Sequence, residues 1–332
     1  MSITLHWIRF KMKIKIYRTF CILLVCFIAI SFAAMLVSCN NENGKNETGG
    51  ITFTDALGRE VCVKKNPKRV AALLGSFADI WVLAGGELCA AAEDAWDDFG
   101  LELTGAVNIG GAHSPSLELL ISAAPELVIA SASTASNIEM KGALEAMGVT
   151  VVYFDVDNFG DYLHMLNICT DITGRKDLYA QNGTKLAAQI DAIKANYKSA
   201  DIPENERKIL LLRTSSSFVK AKGSKGTVLG EMLADMGCIN IADSDTSLIE
   251  NLSVEAVIRA EVHHVFVVTM GSDTEKAMKS LENMIKENPA WSSLTAIKEG
   301  RLHVMDKTLF NLKPNARFAE AYEALYEKLT EK

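Results

Sequence analysis

The sequence predicts an α/β fold of two Rossmann-like lobes joined by a long rigid helix, with a ligand cleft between the lobes. Three features carry that expectation: β-branched runs alternate with amphipathic helical stretches, a strandless helical segment occupies the middle, and the second half replays the first.

Arg69-Val-Ala-Ala-Leu-Leu74 reads as a strand, and Gly75-Ser76 turns the chain into a helix from Phe77 to Ala84. Glu126–Ala130 and Val149–Phe154 continue the sheet, each after a helix stopped by Pro125 or Gly148. This N-terminal lobe spans 51–157. The segment 158–200 is helical: Tyr162, Leu163, Leu166 and Cys169 share one face, and Gly174 then interrupts. Leu178, Leu186, Ile190, Ile193 and Tyr197 mark a second helix at spacings near 3.6. Its length of about twenty residues, roughly 30 Å, suits a stiff connector between lobes. Strands resume at Lys208–Leu212, Val265–Val268 and Arg301–Met305 in a C-terminal lobe spanning 201–332. The replay is visible in letters: Ser116-Leu-Glu118-Leu-Leu-Ile121 precedes the strand at 127, as Ser253-Val-Glu255-Ala-Val-Ile258 precedes the strand at 265, and Gly148-Val-Thr-Val-Val matches Gly300-Arg-Leu-His-Val before Asp155 and Asp306. A boundary between two such lobes is where a small ligand is expected.

The first 39 residues read as a signal peptide. Arg9, Lys11, Lys13, Lys15 and Arg18 precede an apolar run from Phe20 to Val37, which ends in Leu36-Val37-Ser38-Cys39. Met1 or Met12 serves as the start. This exit resembles the lipobox of bacterial lipoproteins, which implies cleavage before Cys39 and lipidation of its thiol. The alternative is an uncleaved anchor, since the run reaches the lower limit for a spanning helix. Residues 40–50 hold no apolar side chain and read as a flexible tether. The expected location is therefore the extracytoplasmic face of the cell membrane, held by a lipid anchor.

The whole chain carries a net charge of −7; without the five Lys/Arg of the leader, 29 basic residues face 41 acids, a balance of −12. That excludes a nucleic-acid binder on electrostatic grounds. Cys62, Cys89, Cys169 and Cys238 are far apart and lack CxxC spacing. Two disulfides are possible by count, but a chain of this size does not need them, and buried free thiols are expected.

Pro67-Lys-Arg-Val70, Pro115-Ser-Leu-Glu-Leu-Leu-Ile-Ser-Ala-Ala-Pro-Glu-Leu-Val-Ile129, Asp171-Ile-Thr-Gly-Arg175, Leu252-Ser-Val-Glu255, Asn288-Pro-Ala-Trp291 and Gly300-Arg-Leu-His-Val-Met-Asp306 follow one another in order. Together they resemble the substrate-binding proteins of ABC importers for iron siderophores, haem and cobalamin, over residues 51 to 330. One departure is Ala260-Glu-Val-His263-His264, where that family has an Asp-Pro-Asp style turn. The resemblance implies a monomeric binding protein with no intrinsic cofactor. It would deliver a ferric siderophore, haem or cobalamin to a membrane permease dimer driven by a cytoplasmic ATPase. It also implies that Glu118 and Glu255 dock on permease arginines. Read from the residues alone, each of these glutamates follows a serine able to cap its helix and sits in the first turn, where the helix dipole favours an acid.

Loops after the C-terminal ends of strands should face the cleft. That nominates Ser76, Phe77, Trp96 and His113 in the first lobe, and Arg213, Phe218, Lys220, Lys222, Phe310 and Arg317 in the second. The stretch from Arg213 to Lys225 gathers four positive charges in an acidic chain, which suits an anionic chelate, while the aromatic rings could stack on a planar one. No set of His, Asp or Glu converges as a bare metal site requires. A secreted α/β enzyme is the alternative from another class, but GxGxxG, Walker, GxSxG and HExxH signatures are all missing, so no catalytic residue is assigned.

Overall fold

A hairpin that the sequence reading missed opens the lobe: β1 (Ile51–Thr54) pairs antiparallel with β2 (Glu60–Val63). The computed structural model describes residues 49–271 and 273–331, so Cys39, the signal peptide and nearly all of the tether lie outside the described residues. The hairpin lays Phe53 against Phe154, with ring centroids 5.9 Å apart. Behind it, β3 (Val70–Ala72) leads into α1 (Gly75–Leu83), then come β4 (Ala90–Ala91), β5 (Val107–Asn108), α2 (Leu117–Ser122), β6 (Leu127–Ser131) and β7 (Thr150–Phe154). The five strands form one parallel sheet in the order β5-β4-β3-β6-β7.

Two helical pieces follow, as the apolar spacing predicts. In α3 (Phe159–Thr173), Asn158 and Asp161 cap each other's backbone in a capping box, and Gly174 ends the helix with a φ of 71°, a left-handed turn that glycine adopts without a Cβ clash. The connecting helix starts as a turn at Lys176–Tyr179 and passes through a π-helical stretch at Ala180–Thr184 before continuing as α4 (Lys185–Ser199). The wider π turn puts Asn182 against the N-terminal lobe. Its carbonyl accepts from the Tyr162 hydroxyl at 2.7 Å, and its amide donates to the Leu83 carbonyl at 2.9 Å.

The second lobe runs β8 (Lys208–Thr214), β9 (Val219–Lys222), α5 (Val228–Asp235), β10 (Ile239–Asn240), α6 (Val254–Ala260), β11 (His264–Thr269), β12 (Leu302–Met305) and α7 (Phe318–Thr330). Its parallel strands take the order β10-β8-β11-β12, which repeats β4-β3-β6-β7 of the first lobe. The added strand is β9, antiparallel to the C-terminal half of β8 and on the same edge as β10. The segment 213–225, expected as a loop, instead completes β8 through Thr214 and contributes the four residues of β9.

Packing explains the stiffness expected of the connector. One apolar cluster runs without a break from Val70, Phe77 and Val152 through Tyr162, Met165, Ile190 and Ile193 to Leu211, Phe266, Phe318 and Leu325. The lobes share this core, while the opposite face of each sheet has its own. Cys62, Cys89, Cys169 and Cys238 are free thiols; Cys169 is buried, but Cys62 is exposed on the hairpin, against the expectation of burial. Among the described residues no helix is long and apolar enough to cross a membrane.

The second lobe also buries a histidine pair. His264 Nδ1 and His303 Nε2 stand 3.0 Å apart on adjacent strands, under the ring of Phe266. Burial holds both imidazoles well below their ordinary pKa, aided by His263, His303 and Arg301 for His264 and by Lys328 and Arg301 for His303. Their neutral forms are therefore favoured by folding. The stability they contribute is complete above the unfolded pKa of about 6.5 and is lost as pH falls below it, at up to about 1.4 kcal/mol per pH unit for each histidine. Urea unfolding at pH 7.5, 6.0 and 4.5 should show that decline, and a His264→Gln/His303→Gln variant should show a shallower one. Parallel pH profiles would contradict this assignment.

Candidate cleft and matched capped helices

Strand ends bring three of the nominated cations together. Arg213 stands one residue from the end of β8, and the β8–β9 register sets it opposite Lys220 and sets Leu211 opposite Lys222. Directly opposed residues of an antiparallel pair project to one face, so Arg213, Lys220 and Lys222 share it. No ion pair involves any of them among the described residues. The Arg213 guanidinium is half-buried with an unpartnered Nε, and burial lowers its pKa. The Lys222 amine is lowered by burial and then by Arg213 and Lys220, as expected of like charges held together. Phe218 is half-buried beside them, and the Lys220 ammonium lies 5.5 Å from its ring centroid.

The other nominees divide. Trp96 is half-buried against Ala72, Ala78 and Ala95, and His113 is exposed in the loop after β5. Phe77 and Phe310 are corrected: they are 0% and 2% exposed and belong to the shared core, so neither presents a stacking face. Phe77 stands edge-on to Phe154, its centroid 6.4 Å away. The first turn of α1 points its apolar side inward as soon as the strand ends. Ser76 is likewise buried at 6% exposure. Arg317 is exposed but already held by both Glu320 oxygens at 2.7 Å, so it is committed within its own lobe.

Several groups at the lobe boundary escaped the sequence reading. Asp94 follows the two-residue β4; its Oδ1 is buried without a partner, and burial raises its pKa. Gly75 permits the close approach there, since a Cβ at that position would come within 2.6 Å of the Asp94 and Ala95 backbone. Lys307 reaches Asp98 of the other lobe at 3.1 Å. A cavity of about 170 Å³ lies between the lobes, lined in part by Asp79, Asp98, Lys313 and Arg317. A larger hollow of about 550 Å³ beside Tyr197, Arg207 and Asp235 contains none of the nominated residues.

Glu118 and Glu255 occupy equivalent places. Ser116 Oγ accepts from the Leu119 amide and Ser253 Oγ from the Ala256 amide, both at 3.3 Å, so each glutamate lies in the first turn of a capped helix. Both are exposed, and α2 and α6 lead into β6 and β11, which match in the two sheets. Each helix is followed by a non-glycine residue in left-handed backbone, Ala124 at φ 44° and Glu261 at φ 54°. At the departure noted from sequence, Glu261 thus provides the turn.

The model of the periplasmic binding protein family matches residues 70–309. The chain belongs to that family. Two relatives come from Bacillus subtilis strain 168. The uncharacterized ABC transporter substrate-binding lipoprotein YvrC is 23% identical over 307 residues, covering 90% of this chain and 93% of its own. The Fe(3+)-citrate-binding protein YfmC is 24% identical over 278 residues, covering 81% and 82%. Among solved structures, Staphylococcus aureus SirA complexed with staphyloferrin B superposes with a TM-score of 0.66 at 20% identity, covering 84% of this chain and 98% of that one. At that identity the likeness concerns the fold, and it agrees with the two-lobed α/β architecture seen in this periplasmic binding protein.

Like charges held on one face without an ion pair are expected to repel one another. Arg213→Met, which keeps the stem and removes the charge, should raise ligand-free stability by about 1 kcal/mol in urea unfolding. A loss of stability would mean that Arg213 serves the fold rather than a ligand.

Proposed function

We propose that this chain is the extracytoplasmic substrate-binding component of an ABC importer, anchored by lipid on Cys39, and that its cleft captures an anionic iron chelate. The unpaired group Arg213, Lys220 and Lys222, gathered at one strand end of an otherwise acidic chain, carries the ligand reading. Binding is non-covalent and no catalytic step is assigned. The names of the relatives support the transporter class, and the ferric citrate relative supports an anionic iron complex. A corrinoid would lean on aromatic faces, and two of the four rings nominated for stacking, Phe77 and Phe310, are spent in the core. Glu118 and Glu255 provide the docking charges for the permease, one on each lobe.

Ferric citrate titrated by tryptophan quenching tests the charge-led site. Arg213→Ala should weaken binding about 10-fold, roughly 1.4 kcal/mol. Wild-type affinity should fall between 0.1 M and 1 M salt, as the screening length shrinks from about 10 Å to about 3 Å. Salt-independent binding that survives Arg213→Ala refutes the assignment.

Docking is tested separately. Glu118→Ala and Glu255→Ala should each lower uptake of the iron chelate, and the double change should lower it further, with ligand affinity unchanged in every case. Equal uptake by wild type and double variant at matched surface expression would remove the docking role.

A further inference from the structure

We propose that Asn315 and Asp79 form a latch across the lobe boundary that sets the spacing of the ligand-free cleft, with Asn315 as the positioning residue. Among the described residues, hydrogen bonds made directly between the two lobes come from one segment, Lys307 to Asn315. Lys307 donates to Asp98 at 3.1 Å. The Asn315 amide donates twice, to the Ser76 carbonyl at 2.9 Å and to Asp79 Oδ2 at 2.8 Å. Ser76 lies in the first turn of the helix that follows β3, so the latch grips the strand-end side of the first lobe.

The backbone is committed to this contact. Asn315 is fully buried and has a φ of 50°, in the left-handed region that asparagine tolerates better than most residues. The joint around it is polar and loosely filled. The adjoining cavity of about 170 Å³ has room for several waters at about 30 Å³ each. Elsewhere the lobes are joined through the apolar core along α3 and α4, which allows no comparable freedom. Beside Leu309 and Phe310, which stay in the shared core, local opening at this joint is resisted by three direct hydrogen bonds between the lobes, and Asn315 supplies two of them.

The Asp79 carboxylate depends on that donor. Burial raises its pKa and the Asn315 amide opposes the rise. The other charged groups facing it are Asp98, Lys313 and Arg317, which line the same cavity, and Lys307 on Asp98. The Tyr162 hydroxyl lies on the helix side, its own pKa raised by burial and by Asp79.

Asn315→Asp keeps the shape and the left-handed backbone but sets carboxylate against carboxylate. The pair should repel at neutral pH and share a proton in mild acid. Hydrogen-exchange mass spectrometry on the ligand-free full chain reads this at residues 76–79 and 307–317. Asn315→Asp should exchange at least about 10-fold faster than wild type in both segments at pH 7.5, a loss of about 1.4 kcal/mol of local protection, and recover at pH 5.0 once the intrinsic pH dependence of exchange is divided out. Asp79→Asn/Asn315→Asp, in which an amide again faces a carboxylate but the Ser76 carbonyl loses its donor, should exchange more slowly than the single variant at pH 7.5, between it and wild type. Unchanged exchange in the single variant overturns the latch. So does fast exchange that persists at pH 5.0 with no recovery in the double variant, because that is a folding defect and not a charge clash. The consequence for binding rests on the cleft reading above. The readout needs no ligand, so failure of the latch and failure of the ligand assignment are separable.

Discussion

The structure depends on one apolar layer shared by both lobes. Helices α3 and α4 place Tyr162, Met165, Ile190 and Ile193 between the inner faces of the two sheets, so neither sheet can bury that face without the other. Burial at roughly 25 cal/mol per Å² of apolar surface makes this layer the dominant constraint on how far the lobes can move. Tethering reinforces it at each end. Asn182 fastens the π turn to Leu83 in the first lobe, and Lys194 meets Asp235, which also accepts from Tyr322, in the second. Large hinge motion would tear this core, whereas small rotations need only the polar boundary near Asn315 to give.

Against that shared frame, the functional asymmetry is local. The lobes repeat the same four-strand order, and their capped helices carry Glu118 and Glu255 at matching positions. The second lobe departs by adding β9, which brings Lys220 and Lys222 beside Arg213. The first lobe offers acids at its boundary instead, Asp79, Asp94 and Asp98. Two surfaces of opposite charge therefore belong to different lobes, and the basic one lacks an internal partner.

Much of this was legible because long apolar runs and helical spacing survive in sequence. The strands at 127–131, 150–154, 208–214 and 264–269 are buried along most or all of their length and read as β-branched or leucine runs. The two-residue strands β4, β5 and β10 carry too few side chains to show a period of two, and with β4 went Asp94. Strand β9 was hidden because Lys220 and Lys222 lie on its polar face and only Ala221 is buried. Phe77 and Phe310 were misplaced because a strand-end rule fixes where the backbone goes but not which way a ring turns in the next helical turn. Asn315 gave no signal, since its role comes from a left-handed backbone and from partners more than two hundred positions away.

The most direct measurement is the identity of the ligand that accompanies the protein from its native cells. Protein taken from membranes of iron-limited cells would be denatured, and the released small molecule characterised by mass and absorption spectrum. An iron complex with several ionised carboxylates or comparable anionic groups is the expected result. A corrinoid, or a chelate without net negative charge, recovered at a stoichiometric amount would contradict the role given to Arg213, Lys220 and Lys222.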